Sequence, residues 1–418
     1  MVKIERVELL HSKRDYLSLF TLFLSLLILS LSWKYYQYNK LTKFDSQIVQ
    51  AKVLKQYLKN NHQVLKLKGH DGSTFYTISK KNIPDYTERY LTLEIWAGNI
   101  SFLEYLKGFF AFSKIIKVDP DISYKERVAK IIEQEHLNKN IAAIYQALFL
   151  AKPLPFALQQ QLSNFGLSHL LAISGFHLGV LSGILFFLIK YPYKFIQNRY
   201  FPYRNYKRDT FMLIALILLL YLLFLDIPPS LLRAYAMLII GFLLYDKNIK
   251  IISMQTLLVS VILLIALFPK LLFSIGFFLS FSGVFYIFLF LIYFKNLKKV
   301  WQFILLPFWV YLMMLPYSLV IFGNFSLYHP LSIIITSLFS IFYPLSIVLH
   351  LINYGDLFDS LLQQLLSIDT CATKVNFSSS IIYIEIFLSL LALWKRWGLY
   401  LLIFFVLSVF IYTIYYIT

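Results

Sequence analysis

Three side chains in the run GLSHLLAISGFHLGVLSG, residues 166–183, could do chemistry: His169, Ser174 and His177. A serine and a histidine three positions apart meet across one helical turn, as nucleophilic or proton-transfer chemistry requires. The same groups could instead offer hydrogen bonds to an anion moving past them. Ionisable groups inside so apolar a segment cost free energy, which makes them functional candidates by default. If the run is one helix, His169, Ser174 and His177 lie within about 140° of one another. Gly175, Gly179 and Gly183 then fall on the opposite face, where a spacing of four lets a neighbouring helix approach closely. The expectation is a helix with a packing face of glycines and a polar face that lines a pathway. The plainer alternative is that the histidines cap or bridge neighbouring helices.

Three later stretches interrupt apolar sequence in the same way. DIPPSLLRAYAM sets Asp226 before Pro228 and Pro229, with Arg233 one turn into the next apolar run. Arg233 is expected to face the protein interior, unless it snorkels to the interface or pairs with Asp226. IGFFLSFSGV carries Ser280 and Ser282 between Gly276 and Gly283, and LPYSLVIFGNFSLYHP carries Asn324 and His329. Ser280 and His329 join His169, Ser174, His177, Asp226 and Arg233 as candidates to line a pathway.

The elements that position them are membrane helices. A chain that is 59% hydrophobic and 14% charged lies outside the soluble range of roughly 45–50% apolar residues. Apolar runs near 15–34, 167–190, 210–226, 271–293, 301–321 and 398–417, with shorter ones at 230–245, 251–268 and 380–394, predict a polytopic α-helical membrane protein of about nine to eleven segments. The first run follows Lys3, Arg6, Lys13 and Arg14 and ends at Trp33 without a small-residue cleavage site, so it reads as a retained anchor. Cys371 is the single cysteine, which excludes an intrachain disulfide and a cysteine metal cluster.

A net charge of +18 could attract a polyanion, but in a membrane protein it first reflects basic loops that fix orientation. The basic loops 190–208, 247–250, 295–299 and 395–396 are expected on the cytoplasmic side. The spans alternate correctly for the first three. A single crossing at 327–352 would leave Lys395 and Arg396 on the wrong side. Pro330 and Pro344 interrupt that segment, so a broken or re-entrant helix pair is expected there, buried in protein or lining a cavity.

Residues 45–118 differ, because alternating polar and apolar positions replace the long apolar runs. Val64–Lys68 and Thr74–Ile78 flank a tight turn with Asp71 and Gly72, a strong hairpin signal. With strand-like stretches at 91–96 and 109–118, the expectation is a small extramembrane β-barrel of about five strands. Its lysines, among them Lys66, Lys68, Lys80 and Lys81, could follow phosphates, while Phe75, Tyr76 and Trp96 could stack bases. A solvated lysine-rich face is the alternative. Residues 119–166 read as an amphipathic, interfacial helical segment. The chain thus divides into an anchor (1–44), the β-domain (45–118), that segment, and a membrane domain (167–418).

In order and spacing, GLSHLLAISGFHLG, PPSLLRAYAM, GFFLSFSGV and the later LP…HP closely resemble the ComEC family of bacterial competence proteins, the DNA-internalisation channels. The resemblance implies an extracytoplasmic OB-like β-domain and an inner-membrane channel that passes single-stranded DNA into the cytoplasm during natural transformation. It also implies a DNA receptor outside, a helicase, translocase or single-strand-binding partner inside, a surrounding lipid membrane, and a possible homo-oligomer. The residues resemble the form without the C-terminal metallo-β-lactamase-like domain, since no histidine stands in an HxH or HxHxDH cluster and two-metal chemistry lacks ligands. His329 stands where the family usually has asparagine.

No cofactor, metal or catalytic activity is expected. A P-loop sequence is absent, so nucleotide hydrolysis would fall to a partner. Two other classes remain open: a secondary transporter of a small anion or lipid-linked solute, which an internal repeat would favour, and an intramembrane hydrolase with Ser174 as nucleophile and His177 as base.

Overall fold

The computed structural model describes residues 12–59, 62–79, 83–119, 124–171, 174–247, 249, 252–370 and 372–417. Lys80, Lys81 and Cys371 lie outside these described residues. The chain forms two compact units, one of Leu10–Ile131 with Val261–Ser274, the other built mainly from Ile132–Ser260 and Ile275–Thr418.

In the smaller unit, helix α1 (Lys13–Thr42) starts at a capping box between Ser12 and Asp15 and is long and apolar enough to cross a membrane. Strands β1 (Gln47–Lys59), β2 (His62–Gly69), β3 (Thr74–Ser79) and β4 (Tyr90–Trp96), helix α2 (Phe102–Lys107), and strands β5 (Phe109–Phe110) and β6 (Phe112–Val118) follow. Alternation decides what is inside. On β4, Leu91, Leu93 and Ile95 are buried between outward-facing neighbours, and with Val53, Leu65, Leu67, Phe75 and Phe109 they form the core. The β2–β3 hairpin pairs Lys66 with Tyr76 and Lys68 with Thr74. Its turn uses Gly72 at φ +76, while Asp71 Oδ1 accepts from the Ser73 N–H and O–H.

The ladder order is β5-β3-β2-β1-β4-β6. The expected closed barrel is therefore corrected to an open six-stranded sheet. β5 is only two residues long, pairs in parallel with β3, and is followed by Ala111, after which β6 pairs with β4. Near the two edges, the Ala111 N–H donates to the Tyr76 carbonyl and Thr77 Oγ1 lies 2.8 Å from Ser113 Oγ, without a strand ladder between β3 and β6 among the described residues.

Helix α3 (Tyr124–Glu135) leads on, and its Lys125 forms with Lys52 a clamp on Glu88. The two ammonium groups sit 2.8 Å (Lys52) and 2.9 Å (Lys125) from the carboxylate oxygens, and all three residues are buried. Burial works to raise the Glu88 pKa, but Lys125 and Lys52 outweigh it and hold the carboxyl below its ordinary range.

The larger unit is helical: α4 (Lys139–Leu150), α5 (Phe156–Asn164), α6 (Ser168–Leu171), α7 (Gly175–Tyr200), α8 (Tyr206–Phe224), α9 (Pro229–Asp246), α10 (Met254–Leu267), α11 (Ile275–Tyr293) and α12 (Lys299–Phe322). Strand β7 (Asn324–Phe325), α13 (Leu331–Leu351), α14 (Asp359–Ser367), β8 (Thr373–Lys374), α15 (Ser380–Trp394) and α16 (Arg396–Ile417) complete it. Among the described residues, six helices (α1, α7, α11, α12, α13 and α16) are long and apolar enough to cross a membrane, and α10 and α15 are shorter apolar helices. α8 opens on Lys207, Arg208 and Asp209 and α9 carries Arg233 inside. Large apolar side chains such as Phe187, Phe303 and Phe404 are exposed, as a lipid-facing surface requires. The chain is a multi-pass membrane protein.

The expected break in segment 327–352 is not there. Pro330 caps α13, and Pro344 sits inside a continuous helix of 21 residues. The chain nevertheless returns, because β8 pairs antiparallel with β7. The return runs through α14, which packs Leu365 and Leu366 onto the cluster formed by Leu158, Leu162 and Phe339. At the α15–α16 hairpin, Gly398 is required by space, since a Cβ there would lie 2.6 Å from the Leu391 carbonyl carbon.

Candidate functional site

The 166–183 run is not one helix. α5 ends at Asn164, Gly166 turns the chain at φ +73, α6 covers four residues, and α7 starts after Ser174, with residues 172–173 outside the described set. A Cβ on Gly166 would press on Ser332 at 3.3 Å, so this turn needs glycine for both conformation and space.

The turn splits the expected polar face. His169 donates from Nδ1 to the Gly166 carbonyl (2.9 Å) and accepts at Nε2 from Thr336 Oγ1 (3.1 Å) on α13, while remaining exposed. Ser174 and His177 form a capping box at the start of α7. The Ser174 N–H, which can only donate, points to His177 Nδ1 at 3.1 Å, and Ser174 Oγ lies 3.0 Å from the same nitrogen. Nδ1 is therefore an acceptor and the ring proton sits on Nε2. That nitrogen is buried without a hydrogen-bond partner among the described residues, and the ring stands edge-on to Tyr343 at 4.6 Å. The serine–histidine contact needed by a hydrolase exists, but Nδ1 is already occupied by a backbone donor, and among the described residues no carboxylate is hydrogen-bonded to Nε2. Capping and bridging, the plainer alternative, describes the contacts of both histidines.

Arg233 is 8% exposed, with Nε and Nη1 unpartnered among the described residues. Its guanidinium lies over the Phe277 ring of α11, 5.8 Å from the centroid. The elbow before it is strained, because Asp226 (φ 63) and Ile227 (φ 56) are consecutive left-handed residues, each costing about 1–3 kcal/mol. Pro228 and Pro229 then start α9 and set Arg233 in its second turn.

Of the packing glycines, only Gly175 meets a neighbouring helix, with Ala234 Cβ 3.4 Å from its ideal Cβ position. Gly179 and Gly183 face open space, with nothing within 4 Å, which corrects the expected glycine packing face. The lining set divides as well. His169 and Ser280 are exposed and Ser174 and Asp226 half-buried, whereas His177, Arg233 and His329 are buried. His329 donates from Nε2 to the Ser163 carbonyl at 3.1 Å and stands edge-on to Phe325, joining β7 to the end of α5. A cavity of ≈ 710 Å³ lies elsewhere, between α10, α11 and α12, lined by Ser253, Gln255, Lys295 and Gln302 among others.

Two polar clusters escaped the sequence reading. Glu385 is fully buried on α15. Its Oε1 accepts from the Tyr286 hydroxyl at 3.2 Å, that hydroxyl also meets Ser389 Oγ at 2.9 Å, and Oε2 has no partner among the described residues. One carboxyl in the apolar run IIYIEIFLSLL was the available signal. The second cluster joins His136 Nδ1 to Asp359 (2.9 Å), His136 Nε2 to His350 Nε2 (3.1 Å) and His350 Nδ1 to the Ser346 carbonyl (2.7 Å). His136 and His350 are 214 residues apart, so no local spacing could reveal them.

In the β-sheet unit, Phe75 is 1% exposed and stacks on Phe109 at 5.4 Å. It is a core residue, which corrects its place among base-stacking candidates. Tyr76 is half-buried beneath Lys66 Nζ, 5.6 Å from its ring centroid. Trp96 is exposed at the end of β4. Lys66 and Lys68 share the outward face of β2.

A family model described as competence protein matches residues 151–417, a span that holds the His169–His177 turn, Arg233, Ser280 and His329. No curated protein and no solved structure matches the chain. The matched span covers more than half of the sequence, and the chain belongs to the ComEC family of competence proteins.

Proposed function

We propose that the chain is the inner-membrane channel that passes single-stranded DNA into the cytoplasm during natural transformation, with the β-sheet unit on the extracytoplasmic side. Family membership supports a role in DNA uptake in competence. The observation that carries the finer reading is Arg233, a buried guanidinium with two nitrogens unpartnered among the described residues. A strand brings one negative charge per nucleotide, and an uncompensated phosphate at membrane depth is prohibitive. Arg233 offers a charge-assisted contact to successive phosphates, and one cation backed by an aromatic ring holds weakly enough to let go. His169 and Ser280 supply exposed polar groups, while His177 and His329 hold the helices that carry them.

The reaction is transport, with no covalent step assigned to this chain. A membrane-anchored DNA receptor outside and a helicase, translocase or single-strand-binding protein inside are the partners this role requires, and a homo-oligomer is compatible with it. The test is Arg233→Ala and Arg233→Lys in transforming cells, with membrane abundance measured in parallel. Loss of DNA entry at normal abundance supports the reading, whereas a loss that only follows abundance assigns Arg233 to packing.

A further inference from the structure

The cluster around His136 and His350 gathers side chains from four places in the larger unit. Glu135 ends α3, His136 stands between α3 and α4, His350 lies in the last turn of α13, and Asp359 opens α14. The His136 side chain is 0% exposed, with the Tyr145 ring of α4 stacked on it at 4.6 Å. Tyr145 and Phe149 also enclose His350, at 4.6 and 5.0 Å.

Three hydrogen bonds run through this cluster in line, and two neutral imidazoles supply protons for only two of them. The Ser346 carbonyl can only accept, so His350 Nδ1 carries a proton. The Asp359 carboxylate takes another from His136 Nδ1, with its oxygens 2.9 and 3.0 Å away. Each neutral ring has then used its one N–H. The two Nε2 atoms, 3.1 Å apart, would face each other lone pair to lone pair, at a separation that leaves no room for a water between them. A third proton on that line turns repulsion into a charge-assisted N–H···N bond.

Counter-charge for that proton is at hand. The charged groups acting on His350 are Glu135 of α3, His136 and Asp359 of α14, and the titratable group facing it from α4 is Tyr145. Glu135 Oε2 is buried with no hydrogen-bond partner among the described residues. Gly355 admits it, since a Cβ there would collide with Oε2 and lie 2.9 Å from His350 Nε2.

The element fastened this way is α14. Asp359 ties its start to His136, while beyond it Gln161 Nε2 donates to the Leu366 carbonyl and Asn164 Nδ2 to the Thr370 carbonyl at 3.0 Å. Between those ends, Leu365 and Leu366 cover Leu158 and Leu162 of α5, the helix that leads into the Gly166 turn. Withdrawal of the third proton sets His136 and His350 against each other and weakens the Asp359 contact from an ion pair to a neutral-donor bond. The start of α14 then parts from the end of α13.

We propose that His136 and His350 share one proton and form, with Asp359 and Glu135, a pH-sensitive latch that fastens α14 over α5 when protonated and releases it when the proton leaves. The latch goes beyond the DNA-passage reading and does not depend on what the membrane domain carries.

The experiment is hydrogen exchange of residues 353–368 in full-length protein in detergent, at about pH 5.5 and about pH 9, on either side of the ordinary histidine range, corrected for intrinsic rates. Wild type is expected to lose protection by about tenfold at the higher pH, the worth of one charge-assisted hydrogen bond, with α12 and α16 unchanged. His350→Gln, whose amide N–H can donate to His136 Nε2 without an extra proton, should stay protected at both values. His136→Phe, which keeps the stack on Tyr145, should be unprotected at both. The wild-type profile stands without the variants if either fails to accumulate. A flat wild-type profile, or the same pH dependence in His350→Gln, would overturn the latch. So would a stoichiometric divalent metal ion in the purified protein whose removal by EDTA at constant pH abolishes protection, because a metal would then occupy the place of the proton.

Discussion

Ser174 and His177 close the first turn of α7 on each other, with the serine N–H and hydroxyl both directed at Nδ1 of the imidazole, 3.1 and 3.0 Å away. Here the ring does what a glutamate or glutamine does at the third position of a capping box. His177→Ala removes the cap and is expected to cost about 1 kcal/mol. His177→Gln can rebuild it. If the imidazole matters only as a cap, DNA uptake survives in the glutamine variant and falls with abundance in the alanine variant, and this is the outcome predicted from the contacts. Loss of uptake in both at full abundance would instead require the ring's Nε2–H.

The Lys52–Glu88–Lys125 clamp ties α3 to the sheet at near-complete burial. Glu88→Gln removes the carboxylate charge that two buried ammonium groups share, and a cost of about 3–5 kcal/mol is expected. Because the folded pKa of Glu88 lies below its unfolded value, its stabilisation is complete above the ordinary glutamate range. It is lost as pH falls through the depressed folded value. Hydrogen exchange of β1 and β4 in the full-length protein, followed down in pH, should show opening that the Gln variant no longer shows.

Lys270 has the opposite sense. Its folded pKa of about 8 lies below the unfolded 10.5. Below pH 8 both states are charged and the folded state bears burial and the repulsion from Lys66, Lys34 and Lys68 in full. Between about 8 and 10.5 the unfolded state binds more protons, so stability of the β-sheet unit rises with pH. Lys270→Met should therefore protect the 261–274 segment from proteolysis at pH 7 relative to wild type, and this difference should shrink by pH 10.

Gly398 admits the Leu391–Ala392 backbone where a Cβ would collide with it. Gly398→Ala is expected to cost about 1–3 kcal/mol through displacement of α15 from α16, read as reduced membrane abundance. Gly179→Ala and Gly183→Ala, facing open space, should leave abundance unchanged.

The helices and the β-hairpin were legible because each rests on a local pattern. Leu91, Leu93 and Ile95 alternate, Asp71 and Gly72 mark the turn, and α12 and α16 are long apolar runs. What could not be read were relationships set by tertiary contact. The 166–183 run looked like one amphipathic helix, but Gly166 adopts a left-handed turn beside Ser332 and Ser174 serves as a cap. Phe75 looked like a stacking platform because the strand pattern does not show which face meets the core, and the stack on Phe109 decides it. Pro344 suggested a break, yet α13 continues through it, since proline in an apolar helix can be accommodated by neighbouring groups. Arg233 was legible as an intrusion into an apolar run, whereas its place over Phe277 was not.

The most direct test of the central claim is uptake of labelled duplex DNA by a host strain deleted for this chain and complemented with wild type or Arg233→Ala, with membrane abundance verified by blot. The account predicts that deletion leaves DNA bound outside the inner membrane with none reaching the cytoplasm. Wild type should restore entry, and Arg233→Ala should fail to do so at normal abundance. Normal internalisation of DNA by the deletion strain would contradict it and make transport of a small solute the better reading.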